Sequence, residues 1–485
     1  MKDGVLLRQV INVINEIDFS EYMLDALLKY QYPNPNDDAF QDWNSKPFIN
    51  TLRLIIKVNE LCKAEKKKEK GISKTEFGIF ALSLKSYDKI DEVAQKILDF
   101  RTDLEELADD TDKEIYIKNY INSYLAGFKN PEDNIKEYTD NMIRYLRLTK
   151  YIYIRGKYSN TYIDVEPRRM VEITSILEND DGKALSFNAA TWRDYMGTYG
   201  KYELPFETVE TLTVIADQIK NDVNKMETNL GLKNTIIEVK DTKELLKNQI
   251  DELRQYRTDL QNLQIKKDYH EDTSKIEKTI EALEDIRTHN KAKLSKKYSI
   301  ELEKWSNVAL NIIDDAVVIK PNSPVGDDNE PTYTAPSNVP DIECLYEEFG
   351  AIMEVTMLTN RDQWFNEGQP VMRHLREYED AHSNLKNYCI FIAPALHTDT
   401  INTFFMSVKY EYQGKPQKIV PFTIVQLEII LETVKTVLDK GKTVKHTDMK
   451  ELYDMCTDIS SLSSSALWTE HISNELEVWK NKMTA

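Results

Sequence analysis

The spacing of apolar residues changes along the chain, and this change indicates a helical region followed by a region that contains strands. From about Glu207 to Lys297, apolar residues recur at helical spacing in narrow stripes, as at Ile276, Ile280 and Leu283. Such stripes are typical of a helical hairpin or a short bundle. Beyond residue 340 the pattern becomes short apolar runs bounded by turns, which are typical of buried strands. Helical patterns alternate with these runs, so the carboxyl end is predicted to form an α/β core.

The elements of this predicted core can be placed along the sequence. The predicted strands are Ile342–Tyr346, Ala351–Met357, Tyr388–Ala393 and Ile419–Thr423, and the predicted helices are Val371–Tyr378, Asp399–Tyr412 and Thr423–Leu438. A loop rich in Pro, Asn and Asp, residues 320–331, precedes them. The core is thus expected to begin after this loop.

The amino-terminal part has a different pattern, with helices from Val5 to Ile17, Tyr22 to Tyr30 and Phe48 to Cys62. Ser73 and Glu76 have the spacing of a capping box, and they start a further predicted helix. Two short helices with a tight polar turn then suggest a helix-turn-helix over 73–100. The β-rich runs 151–154 and 161–165 flank a basic turn, which is a hairpin signal. Helices followed by a basic-tipped hairpin predict a winged helix, a fold that binds DNA.

Size and charge limit the classes of protein that remain. A chain of 485 residues is long enough for about three domains. The start of the chain is not a signal peptide, no apolar run is long enough to span a membrane, and the four cysteines form no CxxC pair. A cytoplasmic protein is therefore expected. The net charge of −19 lowers the expectation of DNA binding without excluding it, because affinity depends on local patches.

Two acidic residues carry the chemistry of the predicted core. Asp341 follows Pro340 at the head of one strand, and Glu354 lies in the next strand. If these strands pair as a hairpin, both carboxylates point to one end of the sheet. Magnesium prefers such hard oxygen ligands, and a divalent cation held there would polarise a phosphate. This is the logic of PD-(D/E)xK nucleases, although Thr356 stands where their motif has lysine; the alternative is two solvent-exposed acids.

Longer runs of residues resemble the AlwI-like type IIS restriction endonucleases, a family that includes strand-nicking relatives. The runs that carry the resemblance are Pro340–Glu343, Glu354–Thr356, Glu367, Pro370–His374, Tyr388–Pro394, Leu302–Trp305, Leu28–Pro33, Gly71–Lys74 and Asp99–Arg101. They occur in the family's order and cover most of the chain. The resemblance therefore implies a Mg²⁺-dependent nuclease that acts on double-stranded DNA.

The resemblance also implies roles for individual residues. Asp341 and Glu354 match the metal-binding pair, and Glu303 and Glu367 match two further acidic positions of the active site. Four converging acids would need a cation to offset their repulsion.

Two further residues of the same region are candidates for catalysis. Arg373 and His374 follow Pro370 at a predicted helix start, where either could contact the scissile phosphate and His374 could assist proton transfer. The alternative is a surface pair of Arg373 with Glu377 beside a partly buried histidine. Because the motif lysine is missing, Arg373 is our candidate for stabilising the transition state.

The resemblance implies that residues 1–200 recognise the DNA sequence. The candidate DNA-binding residues are Lys74, Lys85, Arg144, Arg147, Arg155, Lys157, Arg168 and Arg169. The family's longer members carry a further recognition module, and residues 1–11 look like its end. The chain is therefore expected to be truncated, to start at an alternative site or to belong to a shorter branch.

These observations together predict a multidomain α+β protein. Its predicted parts are a helical segment at 1–50, a winged-helix-like DNA-recognition domain at 51–205, a helical linker at 206–297 and a PD-(D/E)xK nuclease domain at 298–485. The expected partners besides DNA are a second copy or a small subunit for cutting the second strand, and a cognate DNA methyltransferase. Three alternatives stay open: a nicking enzyme or large subunit of a heterodimer, a non-catalytic DNA-binding protein with a degenerate nuclease fold, and a structure-specific repair nuclease.

Overall fold

The computed structural model describes residues 20–37, 40–155, 161–290, 298–313, 316–336 and 338–485, so the helix predicted from Val5 to Ile17 lies outside the described residues. The helices are α1 Ser20–Lys29, α2 Pro47–Ala64, α3 Lys74–Glu76, α4 Ile90–Glu105, α5 Asp110–Tyr124, α6 Pro131–Leu148, α7 Met170–Asn179, α8 Ala189–Gly197, α9 Val209–Leu230, α10 Lys243–Glu271, α11 Ser274–Arg287, α12 Tyr298–Ile313, α13 Arg361–Ala381, α14 Thr398–Lys409, α15 Ile424–Asp439, α16 His446–Thr457 and α17 Ser465–Thr484. The strands are β1 Ile72–Ser73, β2 Ile152–Arg155, β3 Tyr162–Val165, β4 Val318–Pro321, β5 Ile342–Leu345, β6 Phe349–Val355, β7 Lys386–Ala393 and β8 Ile419–Thr423. The predicted mixed α+β class is thus confirmed.

The chain folds into two compact units. Among the described residues, those up to Lys225 form the amino-terminal unit together with Thr235–Arg257 and Gly326–Thr332, and those within Met226–Asn234, Thr258–Val325 and Tyr333–Ala485 form the carboxy-terminal unit. A separate cluster of buried apolar side chains lies within each unit. The division into four parts drawn from the sequence stays a prediction. Among the described residues, no helix is both long and apolar enough to cross a lipid bilayer.

A small antiparallel sheet of order β1-β3-β2 lies in the amino-terminal unit. Strands β2 and β3 pair from Ile152 opposite Val165 to Arg155 opposite Tyr162, so the predicted hairpin is confirmed. The tip of this hairpin, with Lys157, lies outside the described residues. Gly71 precedes β1 with a φ of 72°, and a Cβ atom there would lie 2.1 Å from the carbonyl oxygen of Ile163. Only glycine fits this close approach.

The predicted capping box is also present. The Ser73 N–H donates to Glu76 Oε2 (2.7 Å), and the Glu76 N–H donates to Ser73 Oγ (3.2 Å). Glu76 additionally accepts two hydrogen bonds from Arg101, at 2.8 and 2.7 Å. The helix that follows is shorter than its apolar spacing predicts, because α3 passes into a π-helical turn at Phe77–Ala81 and then ends.

The carboxy-terminal unit contains a five-stranded mixed sheet of order β4-β5-β6-β7-β8. Pairing is antiparallel from β4 to β6 and parallel from β6 to β8, and helices α13 and α14 connect the parallel strands. The four predicted strands are confirmed as β5 to β8. Strand β4 was not predicted, because Pro321 and its neighbours resemble a loop; proline is tolerated there because β4 is an edge strand.

Helix α13 begins earlier than the sequence indicates. Pro370 was predicted to start a helix, but it lies inside α13, which starts at Arg361 after the N-cap Asn360. The buried Gln363 anchors the first turn, since its amide donates to the carbonyl oxygens of Leu358 (2.5 Å) and Ala395 (2.8 Å). These tertiary contacts stabilise the turns before the proline, which by itself disfavours a helix interior. Glu367 therefore lies on a helix.

Candidate active site

Asp341 and Glu354 lie side by side at one end of the mixed sheet. Strands β5 and β6 pair with Ile342 opposite Met353, so Asp341 lies opposite Glu354 just beyond the last paired residues. The Asp341 carboxylate accepts a hydrogen bond from the Val355 N–H (2.7 Å). The Glu354 carboxylate in turn accepts one from the backbone N–H of Asp341. These reciprocal bonds hold the two carboxylates at the same end of the hairpin.

Two more carboxylates approach this pair from helices. Glu303 on α12 is 6% exposed, and its Oε2 accepts a hydrogen bond from the Ala335 N–H (3.0 Å). Glu367 on α13 accepts a hydrogen bond from the hydroxyl of Thr356, the residue in the place of the motif lysine. The structure therefore brings together the four acids that the sequence analysis selected.

Burial raises the pKa of every acid in this cluster, and repulsion from neighbouring acids adds to this effect at Glu303, Asp341 and Glu354. Burial, followed by Asp341 and Glu354, raises the pKa of Glu303 to about 9. Burial, followed by the neighbouring acids, raises the pKa of Asp341 and of Glu354 well above the ordinary values. Burial also raises the pKa of Glu367. A cluster of this kind is fully ionised only when a cation compensates its charge.

His374 contacts one of these acids directly. Its Nδ1 lies 2.7 Å from Glu354 Oε1, and the residue is 8% exposed. Burial and the neighbouring Arg373 lower the pKa of His374, so the imidazole is neutral near pH 7. Its Nε2 is buried and has no hydrogen-bond partner among the described residues. His374 is thus placed to orient Glu354.

Arg373 lies at the exposed edge of the same site. Its Nη2 donates to Asn338 Oδ1 at 3.1 Å. The pair with Glu377 that the sequence analysis left open is not among the ion pairs between described residues. Arg373 is therefore held towards the loop before Asp341.

The donor set at this site suits a hard divalent cation. Among the described residues, no group of three or more His, Cys, Asp and Glu side chains has an arrangement that could hold a metal ion. Magnesium needs only one or two protein carboxylates, because water and substrate phosphate complete its coordination. The carboxylates of Asp341 and Glu354, which lie opposite each other at the end of β5 and β6, meet that requirement.

Four of the eight candidate DNA-binding residues lie on the surface of the amino-terminal unit and are paired with carboxylates. Lys74 lies 2.5 Å from Asp140, Lys85 lies 3.6 Å from Asp42, Arg155 lies 2.7 Å from Asp164 and Arg168 lies 3.1 Å from Glu166. Arg144 donates to the carbonyl oxygen of Asp140 at 3.2 Å. These side chains are half-exposed or exposed, so phosphates could replace or share their present partners.

Arg147 and Arg169 have different surroundings. They are 5% and 8% exposed. Arg169 forms a short ion pair with Asp327, which also lies 2.6 Å from Arg257. This buried ion-pair network favours a structural role for Arg169, and the burial of Arg147 disfavours a phosphate contact.

One polar residue beside the site was not predicted from the sequence. Asn338, the partner of Arg373, precedes Pro340 and Asp341 in a turn with a φ of 67°. The available signal was an asparagine two residues before Pro340, because asparagine tolerates positive φ. That signal marks a turn and does not reveal the contact with Arg373.

Clustered carboxylates can hold the metal ions with which many enzymes hydrolyse phosphodiester bonds. The profile of the AlwI restriction endonuclease family matches residues 8–430. The chain belongs to this family, whose members are DNA-cutting enzymes.

Two further comparisons complete these findings. A search among curated proteins gave no match. Among solved structures, the chain is similar to the small subunit of the heterodimeric restriction endonuclease R.BspD6I, with 18% identity and a TM-score of 0.35, over 42% of this chain and 98% of that chain.

Proposed function

We propose that this protein is a type IIS restriction endonuclease that uses Mg²⁺ to hydrolyse DNA a few base pairs from a short asymmetric recognition sequence. Membership of the AlwI restriction endonuclease family supports DNA cleavage. The observation that carries the metal-dependent part is the position of Asp341 opposite Glu354 at the end of β5 and β6, where burial and neighbouring acids raise the pKa of both. Such a pair is suited to share a divalent cation.

The side chains of the site have separate proposed roles. Asp341 and Glu354 would hold the cation, and His374 would fix the orientation of Glu354 through its 2.7 Å contact. Glu367, with its hydroxyl donor Thr356, and Glu303 would add negative charge around it. A bound Mg²⁺ supplies polarisation of the phosphate and stabilisation of the leaving oxygen.

Arg373 is the proposed phosphate contact of this site. It is half-buried on α13 next to His374, and its guanidinium has five N–H donors in a fork that suits phosphate. A positive charge there would offset charge that develops in the transition state, as the motif lysine does in related sites.

The proposed recognition and cleavage of DNA are assigned to separate parts of the chain. Residues 51–205 act as the recognition domain, with the β2–β3 hairpin as the wing, residues 206–297 act as a linker, and residues 298–485 cut. Lys74, Lys85, Arg144, Arg155, Lys157 and Arg168 are the proposed phosphate or base contacts. A cognate DNA methyltransferase would protect the host sequence.

A nicking enzyme, or the large subunit of a heterodimer, is the second candidate. The acids around Asp341 and Glu354 form one candidate site, and a single site cuts one strand at a time. Double-strand cleavage would therefore need a second copy or a small subunit.

Incubation of supercoiled plasmid with the protein and Mg²⁺ tests these proposals together. We expect EDTA-sensitive cleavage at discrete positions, because the acid pair needs a cation. Nicked circles alone would support the nicking alternative, and linear product would support double-strand cleavage. Intact plasmid would instead support a non-catalytic DNA-binding protein, while cutting that depends on branched DNA would support a repair nuclease. Sequencing of the cut ends gives the recognition site and the offset.

A second experiment tests the wing. Arg155→Ala and Lys157→Ala should each weaken DNA binding for all sequences and lower the slope of log affinity against log salt by about 0.9. Since Arg155 pairs with the buried Asp164, Arg155→Ala also removes a structural partner, so its folding should be checked by circular dichroism. Lys118→Ala, an exposed lysine on α5, is the matched control. An unchanged affinity at low salt for both wing variants would refute the wing assignment.

A further inference from the structure

A short segment before β5 contacts the acids and their neighbours at several points. We call residues 333–336 and 338–340 the strap. The Ala335 N–H donates to Glu303 Oε2 (3.0 Å), and Asn338 Oδ1 accepts from Arg373 Nη2 (3.1 Å). At its end, the carbonyl oxygen of Pro340 accepts a hydrogen bond from the side chain of Asn322 (2.8 Å). The strap is therefore fixed to α12, to α13 and to the residue after β4.

The backbone of the strap is well suited to hold a side chain in place. Pro336 and Pro340 restrict φ at two positions. Asn338 has a φ of 67°, a left-handed conformation that asparagine adopts more readily than most residues. In this conformation its amide oxygen accepts the hydrogen bond from Arg373 Nη2.

The contact leaves Arg373 able to bind a further group. A guanidinium carries five N–H donors, and the described contact of Arg373 uses the Nη2 nitrogen alone. An arginine side chain loses substantial rotamer freedom when it is ordered. If Asn338 orders Arg373 before the substrate binds, less of that entropy is lost when the transition state forms.

We propose that Asn338 is a positioning residue, which holds the guanidinium of Arg373 towards the scissile phosphate. This inference rests on the proposed function. The strap would position Arg373, a role that none of the four acids has. The same interaction binds neither metal nor substrate directly.

The test compares three variants in plasmid cleavage with Mg²⁺. Asn338→Gly removes the acceptor and keeps the left-handed backbone, and we expect kcat to fall about tenfold with little change in KM, as for a lost hydrogen bond to a charged group. Asn338→Asp keeps an acceptor for Arg373 and should retain most of the activity. Asn130→Gly, at another asparagine with positive φ (46°) and no side-chain cap hydrogen bond, is the matched control and should leave cleavage unchanged.

A double-mutant cycle separates positioning from a merely structural role. In an Arg373→Ala background, Asn338→Gly should have no further effect on kcat. An equal loss in both backgrounds would overturn the inference, as would wild-type or increased activity of Asn338→Gly. If Asp341→Ala is inactive while Asn338→Gly is fully active, the positioning role of Asn338 is refuted and the proposed function stands. If Asp341→Ala still cuts normally, the proposed function itself fails.

Discussion

Replacement of Asp341 or Glu354 by alanine is expected to reduce DNA cleavage at least about a thousandfold, as removal of a central catalytic group does in other hydrolases. Each variant removes one of the two carboxylates proposed to hold the cation. Burial and repulsion from neighbouring acids raise the pKa of both carboxylates. With one member gone, the remaining oxygens hold a divalent cation poorly. The measurement is the initial rate of plasmid cleavage at saturating Mg²⁺.

DNA affinity should remain in these variants, because the proposed contacts with DNA lie in the amino-terminal unit. Binding is measured by fluorescence anisotropy in Ca²⁺ with a labelled duplex that contains the mapped site. Glu348→Ala, an exposed acid in the turn between β5 and β6, is the matched control and should cut normally. Ordinary turnover by Asp341→Ala or Glu354→Ala would refute the metal assignment.

The second large effect concerns stability. Asp327→Ala should lower the free energy of unfolding by about 3–5 kcal/mol, because it leaves a buried charge unpaired. Arg169 and Arg257 both contact this carboxylate and are 8% and 3% exposed. Urea denaturation followed by circular dichroism measures the change. Asp251→Ala, which removes an acid 3.9 Å from Arg254 with 65% side-chain exposure, should change stability by less than about 1 kcal/mol.

The same network predicts a dependence on pH. The adjacent arginines hold the pKa of Asp327 well below its ordinary value of 3.8, against the opposing effect of burial. The stabilisation is therefore fully present above about pH 4 and is lost as the pH falls below that value. The difference in unfolding free energy between wild type and Asp327→Ala should shrink from pH 5 to pH 3. A constant difference over that range would contradict the ion-pair explanation.

The amino-acid sequence was sufficient to predict features whose causes are local. Strands β5 to β8 are buried and consist mainly of apolar residues. In the sequence they therefore form short apolar runs between polar turns. The capping box at Ser73 and Glu76 is a contact between residues three apart, and the hairpin of β2 and β3 follows from two β-rich runs around a turn. The four acids were selected through the resemblance of the runs around them to one family.

Tertiary structure decided what depends on residues far apart in the chain. Helix α13 continues through Pro370 because Gln363 is anchored by Leu358 and Ala395. The contact of Arg373 with Asn338 likewise joins residues from separate elements.

The sequence by itself determined the positions of strands β5 to β8 along the chain, because these depend on periodicity and on residue type. It did not determine which charges are buried. Arg169 is a charged residue of the type that usually lies at the surface, yet it is buried and pairs with Asp327, 158 positions away. Such a pair exists only after folding brings its members together, since a buried charge is tolerated only beside its partner.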